Sequence, residues 1–95
     1  MKRQKNKQSA HDSRVKRVAG GYKGKGWKVK ADIPGYSRPR PIHGRRPDVV
    51  ATKGQKTRIV EVETKSSMRK DVPQRNAFRK FANSSKKRKF RTSVI

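Results

Sequence analysis

The chain has 95 residues, 29 of them Lys or Arg against only six Asp or Glu, and a net charge of +23. That length allows one small domain with a thin margin of stability, and charge of this density points to nucleic acid through phosphate neutralisation. It carries no cysteine, which excludes a disulfide framework and a thiolate zinc site and fits a cytoplasmic setting.

Residues 1–8, MKRQKNKQ, lack the apolar core of a secretory signal and read as a disordered basic arm, which leaves 9–95 as the single domain. Ser9 to Ala19 can form a short helix with a thin stripe of Ala10, Val15, Val18 and Ala19, ended by Gly20 and Gly21. YKGKG follows as a flexible turn. From Trp27 to Ile33, Trp27, Val29, Ala31 and Ile33 alternate with Lys28, Lys30 and Asp32, a period of two that predicts a half-buried strand. Trp27 fits that strand better as core than as a stacking platform for bases, a role open to Tyr36. Residues 34–46 hold three prolines, two glycines and four arginines and form a loop. Asp48 to Thr52 is a short strand after Pro47, KGQK is a turn centred on Gly54, and Thr57 to Thr64 is the second arm of a hairpin. Asp71 reads as a helix N-cap, with Pro73 near the first helical position and Gln74 placed to close a capping box. Ala77, Phe78, Phe81 and Ala82 carry that helix to about Asn83. KKRK at 86–89 is a basic turn, and Phe90 to Ile95 is a last strand. No apolar run approaches the ~20 residues of a membrane span, and no segment joins a basic face to a broad apolar one, so a membrane surface ranks behind nucleic acid.

Half of the six carboxylates, Asp48, Glu61 and Glu63, fall in RPDVVATKGQKTRIVEVETK. Residues two apart on a strand share a face, so Ile59, Glu61 and Glu63 lie on one side and Val60 and Val62 on the other. With Asp48 across from Glu61, carboxylates converge, repel and raise each other's pKa unless a cation sits between them. A lysine, an arginine or a divalent ion can do this. Mg²⁺ takes oxygen ligands and keeps several waters, so two carboxylates and a backbone carbonyl suit it. The plainer reading is a solvated hairpin face whose glutamates pair with nearby lysines. The scarcity of acids, and the poor fit of carboxylates to a phosphate-binding face, favour the metal.

Pro47-Asp48, a hairpin, an acidic strand and a helix opening on glutamine together resemble the PD-(D/E)XK nuclease superfamily, which includes archaeal Holliday junction resolvases and RecB-type nucleases. The resemblance runs from about Ser9 to Ile95. It implies an α/β fold: a small restriction-endonuclease-like core, ordered helix, three strands, helix, strand, with a mixed sheet. It makes Asp48 and Glu61 metal ligands with the carbonyl of Val62 as a third, for Mg²⁺ or Mn²⁺. The family's lysine two positions after the second acid is here Glu63. A second register, Glu63-Thr64-Lys65, makes Glu63 the ligand and Lys65 the lysine. In the first register, which places the acid deeper in the apolar strand, Lys65 can still reach back. Gln74 with Phe78 is similar to the Gln-x-x-x-Tyr motif of the RecB-like branch, and closing the capping box is its other reading. The first helix can add a polar residue to the site, His11 or Asp12, although a lone histidine in a basic end is more often surface.

The arginines flanking the site, Arg38, Arg40, Arg45 and Arg46, are the first candidates for phosphate contacts. Lys53, Lys86, Lys87 and Arg88 come next, as phosphate contacts or solvated charge. The expected function is a metal-dependent DNA endonuclease, with RNA left open as a substrate and a homodimer compatible with the fold. Two alternatives stand beside it: a binding module of the same fold without catalysis, and a basic structural nucleic-acid-binding protein of ribosomal or chromatin-like type.

Overall fold

The structure is a computed structural model that describes residues 2–95, with side chains from residue 9 onward. The arm expected over residues 1–8 lies outside the residues described side chain by side chain. The elements are α1 (Lys2–Gly24), β1 (Lys28–Ala31), β2 (Val49–Lys53), β3 (Lys56–Glu63), α2 (Lys65–Lys70), α3 (Val72–Asn83) and β4 (Arg88–Val94). They form an α/β fold around a four-stranded mixed sheet in the order β1-β2-β3-β4. β1, β2 and β3 run antiparallel in turn, and β4 joins β3 in parallel. The order expected from sequence holds, with one short helix added.

The first helix does not stop at Gly20-Gly21. Val15 and Ala19 are fully buried against the sheet, and that packing outweighs the roughly 1 kcal/mol that each mid-helix glycine costs. The stop comes at Gly26, whose φ is +87°. The Trp27 N–H donates to the Tyr22 carbonyl at 3.1 Å and the Gly26 N–H to the Lys23 carbonyl at 3.1 Å. This pair of bonds is a Schellman cap, and the Tyr22 and Trp27 rings, 5.4 Å apart, supply its apolar contact. Trp27 therefore closes a helix, and the strand begins one residue later at Lys28.

The β2–β3 hairpin turns through Gly54 and Gln55, with Gly54 at φ +60°. A residue with a Cβ resists that conformation. Val49 pairs with Val60 and Val50 with Ile59. α1 covers one face of the sheet, where Val15 and Ala19 meet Ala31, Val49, Val60 and Val62. α3 packs on β3 and β4, burying Phe78, whose ring lies 5.8 Å from that of Phe90. Each such apolar side chain taken from water contributes about 1.5–3 kcal/mol. β3 is covered on both faces, so Ile59 to Glu63 are buried without a break.

The polar stretch KSSMRK, for which the sequence predicted no element, forms α2. Thr64 caps it: the Ser67 N–H donates to Thr64 Oγ1 at 3.1 Å and the Thr64 N–H to Ser67 Oγ at 2.8 Å. This reciprocal pair is the capping box that the sequence suggested for Asp71 and Gln74. Asp71 makes no side-chain cap. It is already the C-cap of α2, with its N–H bonded to the Ser67 carbonyl at 2.8 Å. The basic run at 86–89 is also more ordered than expected, since Arg88 and Lys89 open β4.

Candidate functional site

Asp48 stands one residue before β2, and the hairpin register places it opposite Glu61. The two residues clasp each other through side chains where the backbone ladder ends. The Asp48 N–H donates to Glu61 Oε1 at 3.0 Å, and the Val62 N–H donates to Asp48 Oδ2 at 2.8 Å. Successive residues of a strand direct their backbone groups to alternate neighbours. The Glu63 carbonyl accepts from Ile95, beyond β4, so the Val62 carbonyl faces the Asp48 side.

Gln74, on the first turn of α3, donates from Nε2 to Glu61 Oε2. Its amide is engaged by the carboxylate rather than by a capping box. Glu61 is only 2 % exposed. Burial first, and the charge of Asp48 second, push its pKa up to about 9, against the Gln74 and Asp48 N–H bonds that favour the ionised form.

His11 reaches the same corner from α1. Its Nε2 lies 3.2 Å from Asp48 Oδ2 and its Nδ1 lies 3.3 Å from Asp12 Oδ1. The bond to Asp48 is the largest cause of a pKa raised to about 9, which burial opposes and the charges of Asp48 and Asp12 reinforce. The ring is thereby biased toward its imidazolium form, between the Asp48 and Asp12 side chains. The sequence held a signal for it: His11, Val15 and Ala19 recur every four residues, so all three share the sheet-facing side of α1.

Glu63 is 1 % exposed and accepts a hydrogen bond from Ser67 Oγ of α2. Burial is the main cause of its raised pKa; the Ser67 bond and the charge of Arg75 oppose it, and Asp71 adds to it. Its Oε1 is buried without a hydrogen-bond partner, as is Nη1 of Arg75. Glu63 thus turns toward α2 and the start of α3. Lys65 is exposed on α2, and the residue that reaches back to the strand is Ser67.

The corner gathers Asp48, Glu61, Val62 and Gln74, with His11 and Asp12 behind them. Of the basic residues, Lys53, Lys87 and Arg88 lie at the far end of the sheet by the β2–β3 turn, while Arg38, Arg40, Arg45 and Arg46 belong to the loop that precedes Asp48. Arg38 pairs with Asp32 at 3.5 Å, Arg46 donates to the Pro39 carbonyl, and Arg40 and Arg45 are exposed. Lys53 Nζ donates to the Lys25 carbonyl at 3.1 Å, and Lys87 Nζ to Gln55 Oε1. Lys86 is exposed, and Arg88 lies 4.0 Å from the centre of the Phe81 ring.

Asp48 and Glu61 offer only oxygen atoms, of which Glu61 Oε1, Glu61 Oε2 and Asp48 Oδ2 each accept a hydrogen bond. Among the described residues, no three or more His, Cys, Asp or Glu side chains form a group able to enclose an ion. No helix among the described residues is long and apolar enough to cross a membrane. Compared with models of known protein families the chain matches none, and no curated protein sequence matches it.

Proposed function

We propose that the chain binds nucleic acid and hydrolyses phosphodiester bonds as a metal-dependent nuclease of the PD-(D/E)XK type. The observation that carries this reading is the clasp of Asp48 and Glu61 across the hairpin, with Gln74 on Glu61, in a molecule of net charge +23. Burying two carboxylates together is costly, and a cation-binding role gives that cost a purpose. Asp48, Glu61 and the Val62 carbonyl would hold Mg²⁺ or Mn²⁺, which when bound supplies Lewis-acid polarisation of the phosphodiester and an activated water. The chain's own residues prepare the corner. Val62 and His11 hold Asp48 through Oδ2, Gln74 fixes the rotamer of Glu61, and His11 keeps a proton at Nε2 beside the phosphate path. Arg40 and Arg45 grip the strand.

A binding module without catalysis is the second reading. It is favoured by Glu63, which occupies the place of the family's lysine and is bonded to Ser67. The experiment that separates the two uses labelled branched, double- and single-stranded DNA, with matching RNA, in Mg²⁺, Mn²⁺ or EDTA, beside Asp48→Ala. Cleavage that needs the metal and is lost in the variant is the expected result. Binding without cleavage in either metal overturns the nuclease and leaves the module. Absence of binding overturns both.

A further inference from the structure

The face of the sheet opposite α1 is only partly covered, because α3 lies over β3 and β4. Beside it is a groove of about 500 Å³, a volume typical of sites for small molecules or single side groups. Its floor comes from Val50 and Thr52 of β2 and Thr57 of β3. Lys28 and Lys30 pair across from Thr52 and Val50, so they share that face and line the groove at its β1 edge. Pro39, Arg40 and Ile42 of the loop form one wall and Phe81 of α3 the other. Phe81 is held by the His43 ring at 6.3 Å and the Arg88 guanidinium at 4.0 Å. It stands one turn beyond the buried Phe78 and stays half-exposed.

We propose that this groove takes one unstacked nucleobase of a bound strand. The proposal rests on the nucleic-acid reading above and adds to it the form of strand preferred. Three observations carry it. The lining is apolar and aromatic with threonine hydroxyls, matching a flat ring with polar edges, while Lys28, Lys30 and Arg40 provide positive charge for the phosphates on either side. The groove also shares its sheet face with the candidate site: Val50 is two residues from Asp48 along the strand, about 7 Å at strand rise. A strand with a phosphate at Asp48 and Glu61 therefore has a neighbouring nucleotide over the groove. Finally, a recess between a loop and a helix admits a base only when it has left the duplex stack, so unpaired nucleotides are preferred over paired ones.

The test measures binding by fluorescence anisotropy in EDTA, so that cleavage plays no part. The probes are a short labelled oligothymidine, the same backbone with abasic sugars, and a duplex of equal length. Wild-type protein binds oligothymidine about 10-fold or more tightly than the abasic strand, the worth of one base held against an aromatic wall. Thr52→Trp, which fills the groove, and Phe81→Leu, which removes its aromatic wall, each abolish that ratio and keep the affinity for the abasic strand. Melting curves check that both variants fold. Equal binding of the two single strands by wild type overturns the proposal, as does a ratio that survives in a folded variant. Failure to bind any of the three probes overturns the nucleic-acid reading beneath it.

Discussion

Glu61 is a carboxylate shut away from water, with Asp48 against it and the Gln74 amide on its far oxygen. Burial and the charge of Asp48 both favour its protonated form. A folded-state pKa of about 9 against an ordinary 4.5 means that the folded chain holds this proton more tightly than the unfolded chain. Its contribution to stability is fully present below the unfolded value and is lost as pH rises through the folded one. His11 has the same sign, with a contribution complete below 6.5 and lost as pH rises through about 9. Melting temperature in EDTA therefore falls from pH 5 to pH 9. Glu61→Gln, which copies the protonated side chain, should flatten that fall and, on the proposed nuclease reading, abolish metal-dependent cleavage. A fall as steep in the variant as in wild type would contradict the assignment to Glu61. Gln74→Leu leaves Glu61 Oε2 buried without its donor, and a loss of about 1–3 kcal/mol in urea unfolding is expected.

Glycine has opposite effects at the two ends of the logic that shapes α1. Gly20 lies inside the helix with open space where a side chain would stand, so Gly20→Ala should stabilise by about 0.5–1 kcal/mol. Gly26 holds the left-handed cap at φ +87°, so Gly26→Ala should destabilise by about 1–2 kcal/mol. Urea midpoints of the two variants moving in opposite directions check both statements. The pair also shows why the helix end was hard to read. Glycine marks a stop only where the chain needs positive φ, and that need arises from how Val15, Ala19 and Trp27 pack. The hairpin was legible because it is local: two short β-branched runs, DVVAT and TRIVEVET, with a glycine turn between them set the register that brings Asp48 to Glu61. α2 was not, since its apolar content is one methionine and its cap is a reciprocal Thr64 and Ser67 bond rather than a charged residue. Gln74 stands four residues before Phe78 and seven before Phe81, a helical spacing that puts it on their sheet-facing side, while its partner could be fixed only by the placement of α3 over β3.

Across the whole molecule the acids are not scattered. Asp12 and Asp48 flank His11 and Asp48 opposes Glu61 at one corner, while Glu63 turns away toward α2 with Asp71 acting on it, in a largely basic body of 13.0 Å radius of gyration. On the proposed reading, nucleic acid would be drawn by the body and repelled by the corner. Binding should weaken steeply with salt through counterion release, and Arg45→Gln should lower the magnitude of the log–log slope by about one. Asp48→Asn should tighten binding in EDTA, since it removes charge from the corner. Titrations at several salt concentrations test both. The parallel seating of β4 on β3 bears on how the molecule assembles. The hairpin closes through a two-residue turn, whereas β4 can dock only after the chain has crossed back through α2 and α3, and such non-local pairing forms slowly. The pairing that opposes Asp48 to Glu61 is thus local, whereas the seat of Gln74 depends on the non-local docking of α3, so in a refolding experiment the hairpin amides should gain protection before those of β4.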